Sequence, residues 1–509
     1  MSNVESMDSH PKMNVTTAPN PTSGPRIAIV GAGISGLSLA WHLERLIKDC
    51  HVELFEASDR VGGVIQTKSE EPFLAELGAD NFATLVPDAL RMVEEMGLRS
   101  EFFGPKPDHR IAQVVRNGKV LPIPNGFSLM QPTRFTSVLF TPTMSISGRL
   151  RLMLEYFVKQ RTSKEDESVE SFAVRRLGQE CFDRLVEPIV AGIFTARAET
   201  LSMQAAMPQF VSMEKEHGGL IRATLAKSRS QSRSDQSARQ ATGARYDQFL
   251  APKQGMSWWI QKIASSLNAP IHLRSKITEV QKDTAGKWEL KCAESASAEA
   301  ASTPSSSGNW DAVCLALPSY RSANILKRSN TKVAAMLERI PYASSAVAIL
   351  AINKSEIRPS AFCFGVVVPK MEHRDCLAIS LSSEKYAGRC PDDTVLARVF
   401  MGGAIRPEML EKSDEQLLAI ARKEVQELLG VTSLPRWQSL VRWNEAMPQY
   451  LLGHTQVVSK IREAIQGEPS LRIIGNAFDG VGIPQCIKLA RETAEHFAGI
   501  FSPNPTRTD

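Results

Sequence analysis

The spacing of apolar residues changes period repeatedly along the chain, and these changes outline its elements. Ile27, Ile29 and Val30 form a short β-branched run that reads as a buried strand. Apolar positions then fall at helical spacing from Ile34 to Lys48, and Val52–Phe55 is a second strand-like run. An apolar strand–loop stretch, Phe73–Phe82, and an amphipathic helix, Pro87–Met96, follow. VVRNGKVLPIP alternates on either side of Asn117-Gly118, a strong short-range hairpin signal. Helical spacing returns over Ser145–Phe157 and Ser168–Leu225 (Phe172, Leu177, Phe182, Leu185, Val186), with Ser168 the predicted cap. The region Val347–Gly402 is rich in strand-like runs (AVAILAI, FCFGVVVP, CLAISLS, VLARVFMGG) and predicts an antiparallel sheet walling a cavity. Leu471–Gly475 reads as a short buried strand and Gln485–Phe497 as a closing helix.

The glycines give the first segment a chemistry. Gly31, Gly33 and Gly36 turn the chain, let backbone approach a pyrophosphate and pack the next helix on the sheet, while Ile34 and Ser35 open that helix with free N–H groups. Glu56, with Ala57 after it, ends the second strand about twenty residues on, where a carboxylate can accept from both ribose hydroxyls. Strand, glycines, helix, strand and acid in this order predict a dinucleotide site. Arg60, Gly62 and Gly63 then add a cation and another close backbone approach, and this RxGG extension resembles flavoproteins that hold FAD permanently. FAD is therefore expected over NAD. The segment Gly475–Gly482 ends a strand and opens a helix, so it supplies a second helix N-terminus able to face the flavin.

Composition narrows the class only slightly. At 509 residues the chain exceeds a single core. A net charge of +5 is too mild in this length to imply nucleic acid, and it suits an anionic tetrapyrrole or membrane surface equally. The eight cysteines lack CxxC spacing, and no His/Cys/carboxylate set suggests a metal. Residues 1–25 read as a polar tail without the apolar stretch of a signal peptide, and no run is long enough for a spanning helix. A cytoplasmic protein is expected, with any membrane contact peripheral. The Phe127–Phe157 region, with Leu, Phe and Met among Arg149, Arg151 and Lys159, either lies on a bilayer or is a buried helix; burial is slightly preferred. Two Ser-rich stretches, 228–245 and 295–308, read as a loop and as the enlarged tip of a hairpin between Trp288–Cys292 and Asp311–Leu317.

The fold class expected is mixed α/β. A discontinuous Rossmann-like FAD-binding domain would come from 26–105, 250–320 and 455–500, its middle strands being Ile277–Val280 and Asp311–Pro318. A sheet-based substrate-binding domain would come from 106–125 and 321–454, and an inserted α-helical domain, for which a membrane-facing role stays open, from 126–249.

Five blocks, in order, resemble the oxygen-dependent porphyrinogen oxidases of the flavin amine oxidase superfamily. They are IAIVGAGISGLSLAWHLE, ELGADNF (76–82), SVESFAVRRLGQECFDRLVEPIVAGIF (168–194), WNEAMPQYLLGH (443–454) and FDGVGIPQCI (478–487). The resemblance implies that Val64 passes the flavin beside Gly62 and Gly63, and that Gly78, Ala79, Asp80 and Asn81 line the isoalloxazine approach. It places Val280 at the adenine through its backbone, Trp443 near the flavin, and Asn476, Val481, Gly482 and Ile483 at the pyrimidine end. On the substrate side it implies Arg110 for a propionate, the Gly192 carbonyl facing the pyrroles, and Val367 and Leu381 sandwiching the macrocycle. Phe194-Thr195-Ala196 departs from the family's Tyr-Ala-Gly. No acid or base side chain is identified. The implied activity is six-electron oxidation of protoporphyrinogen IX by O2 with release of H2O2, in heme biosynthesis; coproporphyrinogen III is the alternative substrate, and amine oxidation or carotenoid desaturation a more distant reading. Peripheral membrane contact, hand-off to a ferrochelatase and a homodimer stay open.

Overall fold

The computed structural model describes residues 24–108, 110–231, 248–293 and 309–502. The stretch 295–308, all but two residues of the 1–25 tail, and 232–245 of the first Ser-rich stretch lie outside the described residues.

The N-terminal pattern folds as a five-stranded parallel sheet. Its order is Ile271–His272, His51–Phe55, Arg26–Val30, Ala312–Leu315, Leu471–Ile473. Both faces are covered, which explains why the strands are apolar throughout instead of alternating. Ile27 and Ile29 face the helices Ile34–Leu46, Met256–Ser265 and Ile483–Phe501. Ala28 and Val30 face the helices Ser319–Leu326, Thr331–Leu337 and His454–Ala464.

Two expectations fail here. Ile277–Val280 is not a strand of the parallel sheet: Ile277–Lys282 pairs antiparallel with Trp288–Cys292, and this hairpin lies over the sheet with Val280 in the same core as Phe55 and Leu315. The edge position belongs to Ile271–His272. Nor do Trp288–Cys292 and the strand at 312 form one hairpin. Trp288 and Trp310 bridge, but Ala312–Leu315, buried on both faces, runs between Arg26–Val30 and Leu471–Ile473. A strand apolar on both sides finds its burial inside a covered parallel sheet.

The strand-rich region forms a seven-stranded sheet in the order Trp437–Pro448, Tyr342–Asn353, Thr394–Gly402, Ala378–Leu381, Gly365–Val367, Ala112–Arg116, Lys119–Pro122. It is antiparallel except where Gly365–Val367 runs parallel to Ala112–Arg116. Asn117 and Gly118 both take positive φ at the 112–122 turn, as the Asn-Gly pair demands. Helix Asp414–Leu429 covers one face, with a capping box at Ser413. The other face meets the strand Phe73–Glu76 and the helical block.

The 168–225 region is helical but broken. Ser168 caps Val169–Leu177 by accepting from the Ser171 N–H. Left-handed backbone at Gly178, Thr195 and Gly218 then interrupts it into separate helices, including Glu187–Phe194, Pro208–His217 and Leu220–Gln231. Inside the block Arg176 is fully buried against Glu155, which also accepts from the N–H groups of Leu220 and Ile221. Arg176 also pairs with Glu214, so this buried cation is matched by two carboxylates. The burial preferred for the Phe127–Phe157 region holds only in part: Phe127, Met130, Val138, Met144 and Leu152 are buried, whereas Phe140, Ile146, Leu150, Leu154 and Phe157 are exposed. Among the described residues no helix is long and apolar enough to cross a membrane.

Candidate active site

The cradle expected to take the cofactor is built by backbone. Helix Ile34–Leu46 begins at Gly33 with no side-chain cap and no acid in its first turn, so its N–H groups and dipole stay available to an anion. A Cβ on Gly33 would meet nothing within 4 Å, whereas one on Gly36 would fall 1.9 Å from the Gly31 carbonyl oxygen. Gly33 thus opens onto space and Gly36 closes a packing contact. Gly33 bridges Gly62, and Gly63 and Val64 lie exposed along the same opening. Glu56 accepts from the Ala32 N–H (2.9 Å) and from Ser58, which fixes its carboxylate beside the glycine turn. Ala57 is exposed next to it. Arg60 donates to the Gly63 and Val61 carbonyls, so this cation holds the RVGG turn in shape. These groups fit a dinucleotide diphosphate and ribose.

Two strands of the large sheet pin the next loop. Trp443 donates from Nε1 to the Leu77 carbonyl at 2.9 Å, and Arg398 donates to the Gly78 carbonyl. Gly78 is obligatory, because its Cβ would lie 2.2 Å from the Val64 oxygen. Ala79 is exposed, and Asn81 donates to Asp80 at 2.7 Å. Asp80 in turn is paired with Lys385 (3.2 Å) and Arg398 (3.3 Å). Burial alone would push its carboxyl up, but the Lys385 and Arg398 charges outweigh burial and hold it below the usual carboxylate range.

At the far end, Gly482 opens the 19-residue helix Ile483–Phe501, again without a side-chain cap or an acid in the first turn. The loop before it is held by the MPQY..GH block. The Tyr450 hydroxyl donates to the Asn476 carbonyl (2.6 Å) and accepts from the Gly480 N–H (3.0 Å), and its ring stacks on His454 at 4.1 Å. Burial drives the His454 pKa down to about 4, so the ring is neutral at pH 7. Val481 packs toward the helical block.

The substrate side is partly assembled. Helix Glu187–Phe194 lays Gly192 against the sheet, where an added Cβ would be 3.7 Å from Val367 and 3.8 Å from Ala378. The Gly192 carbonyl belongs to the last helical turn, where intrahelical pairing runs out. Thr195 closes that helix in left-handed conformation, replacing the glycine-bearing turn of the family pattern. Leu381 does not join Gly192 and Val367. Side chains alternate along a strand, and Ile379 and Leu381 point into the core under helix Asp414–Leu429, opposite Ala378 and Ser380. Arg110 donates to the Lys106 and Pro105 carbonyls, 2.9 Å each, at the same end as Lys385, whose carbonyl accepts from the Lys106 N–H.

Three residues here were not anticipated: Arg398, Lys385 and Ser380. A lone arginine inside the apolar run VLARVFMGG was the available signal, since a charge in a buried strand must be paired or used. Tyr450 and His454 were noticed only as part of a block.

The profile of flavin containing amine oxidoreductases matches residues 34–497. The chain belongs to this family. As a member it is an FAD-dependent oxidoreductase. Among curated relatives, the coproporphyrinogen III oxidase of Bacillus subtilis (strain 168) is 27% identical over 467 residues, covering 91% of this chain and 95% of that protein. Protoporphyrinogen oxidase 2, chloroplastic/mitochondrial, of Arabidopsis thaliana is 27% identical over 492 residues, covering 93% and 94%. Among solved structures, a provisionally named protoporphyrinogen oxidase from Exiguobacterium sp. 255-15 has a TM-score of 0.79 at 23% identity, covering 94% of this chain and all of that one. Cyclohexylamine oxidase from Brevibacterium oxydans shares the fold of this flavin family at a TM-score of 0.65 and 14% identity, covering 94% and 99%.

Proposed function

We propose that this chain oxidises a porphyrinogen to the porphyrin by removing six electrons, with O2 as terminal acceptor and H2O2 as its product. The observation that carries the reading is the wall made by Gly192, Val367 and Ala378 beside the flavin loop, in a chain aligned over more than nine-tenths of its length with enzymes named for this chemistry. The chemistry a bound FAD would supply is two-electron, hydride-type acceptance, needed three times per macrocycle.

The chain's own part is placement. Arg398 and Trp443 fix the Leu77–Asn81 loop, Tyr450 fixes Asn476–Gly480, and helix Glu187–Phe194 presents Gly192 toward Val367 and Ala378, the wall this reading gives to the macrocycle. No side chain among the described residues is assigned here as a base; in this reading a pyrrole N–H proton leaves through water or a backbone carbonyl, and positioning supplies the rate. The reading keeps protoporphyrinogen IX as substrate, with coproporphyrinogen III the alternative. Aerobic turnover with the two side by side, followed by porphyrin fluorescence and peroxide, tests it. Inactivity toward both, or an amine that bleaches the flavin when neither porphyrinogen does, overturns it.

The exposed apolar side chains of Phe140–Phe157, edged by the exposed Arg134, Lys159 and Arg222, favour a peripheral seat on an anionic membrane.

A further inference from the structure

Beyond Arg110, the cationic end of the site holds polar groups that the fold leaves unmatched. On the face of the large sheet that carries Val367 and Ala378, the next cross-strand pair is Ser380 with Arg398. Arg398 is 2% exposed and Ser380 8% exposed, yet the Arg398 Nε and the Ser380 hydroxyl have no hydrogen-bond partner among the described residues. Two neighbouring buried donors left unmatched are costly, and a native structure retains them where a ligand or water completes them.

The charges point to the kind of ligand. Asp80 is the carboxylate between Lys385 and Arg398, so two cations face one anion. The neighbouring Glu76 has its carboxyl pushed up by burial, with Arg389, which donates to the Pro252 and Lys253 carbonyls, only partly opposing this. Counting all five groups, the cluster keeps a positive excess, and the surplus sits where the open donors are.

We infer that Lys385, Arg398 and Ser380 form a second carboxylate subsite, separate from Arg110, that takes a propionate of the substrate. This rests on the porphyrinogen reading. The Arg398 Nε–H and the Ser380 hydroxyl donate to the carboxylate, and Lys385 balances its charge while Asp80 stays with Arg398. Arg110 and Lys385 are joined through Lys106, which accepts from the first and donates its N–H to the carbonyl of the second, so two carboxylates of one macrocycle meet two neighbouring cationic positions.

The test uses the FAD-loaded protein. KM is measured for protoporphyrinogen IX and coproporphyrinogen III and for their methyl esters, and Kd for protoporphyrin IX and its dimethyl ester by fluorescence quenching. Lys385→Met is expected to weaken binding of the acids relative to the esters about tenfold or more, and Ser380→Ala to do so by several-fold, since charge-assisted hydrogen bonds are at stake. If Lys385→Met fails to retain FAD, Ser380→Ala decides. Variants that bind the acids as wild type does, or lose acid and ester equally, overturn the subsite. A wild type inert toward both porphyrinogens overturns the parent reading and the subsite with it; an active wild type with unaffected variants overturns the subsite alone.

Discussion

At the scale of single residues, two glycines three positions apart do different work. Gly36→Ala places a methyl 1.9 Å from the Gly31 oxygen, which has no flexible end to yield, so the helix must move off the sheet. We expect a loss of about 1–3 kcal/mol in the apoprotein, read as a lower Tm. Gly33→Ala meets open space and leaves the apoprotein's Tm within about 1 kcal/mol of wild type, allowing for the helix-start backbone. It nevertheless raises the Kd for FAD about tenfold or more, because the methyl occupies the diphosphate's approach; fluorescence titration of apoprotein checks it. Arg110→Ala is expected to raise KM for the preferred porphyrinogen with little change in kcat. An unchanged KM removes Arg110 from carboxylate binding.

At the scale of elements, the amphipathic pattern of 145–157 was legible but its partner was not. Helix Ile146–Met153 buries Gly148 and Leu152 and leaves Ile146 and Leu150 outside. Periodicity reports that a helix has an apolar face; it does not report whether protein or lipid covers that face. Phe140→Asp together with Phe157→Asp is expected to reduce co-sedimentation with anionic vesicles several-fold and to leave turnover of detergent-dispersed substrate unchanged. Equal sedimentation of variant and wild type would reject the membrane seat.

At the scale of the whole molecule, stability with pH reflects burial at the junctions between layers. Glu187, at the start of the helix carrying Gly192, has its pKa pushed up to about 7 by burial, only partly offset by the Lys370 N–H. A raised carboxyl pKa means that its stabilising contribution is full below 4.5, the unfolded value, and is lost as pH rises toward 7. The magnitude is up to about 3 kcal/mol. His42 and His454, driven down to about 4 by burial, act the other way, losing stability as pH falls from 6.5 to 4. Glu187→Gln should therefore raise Tm at pH 8 and leave it nearly unchanged at pH 4.5. Thermal melts at both values check the sign.

The amino-acid order by itself determined the cofactor end: Gly31 to Gly36, Glu56 and Gly62–Gly63 lie close along the chain, so their geometry follows from local backbone rules. It also determined most strand and helix types, because periods of 2 and 3.6 are written locally. Tertiary structure alone decided which sheet each strand joined, as with Ile277–Lys282 and Ala312–Leu315, since an apolar strand is equally apolar in either place. It alone put Leu381 behind the sheet and Arg398 against Gly78 and Asp80, some 320 residues away in sequence. Which face a side chain takes depends on register, and register is set by partners that no local pattern names.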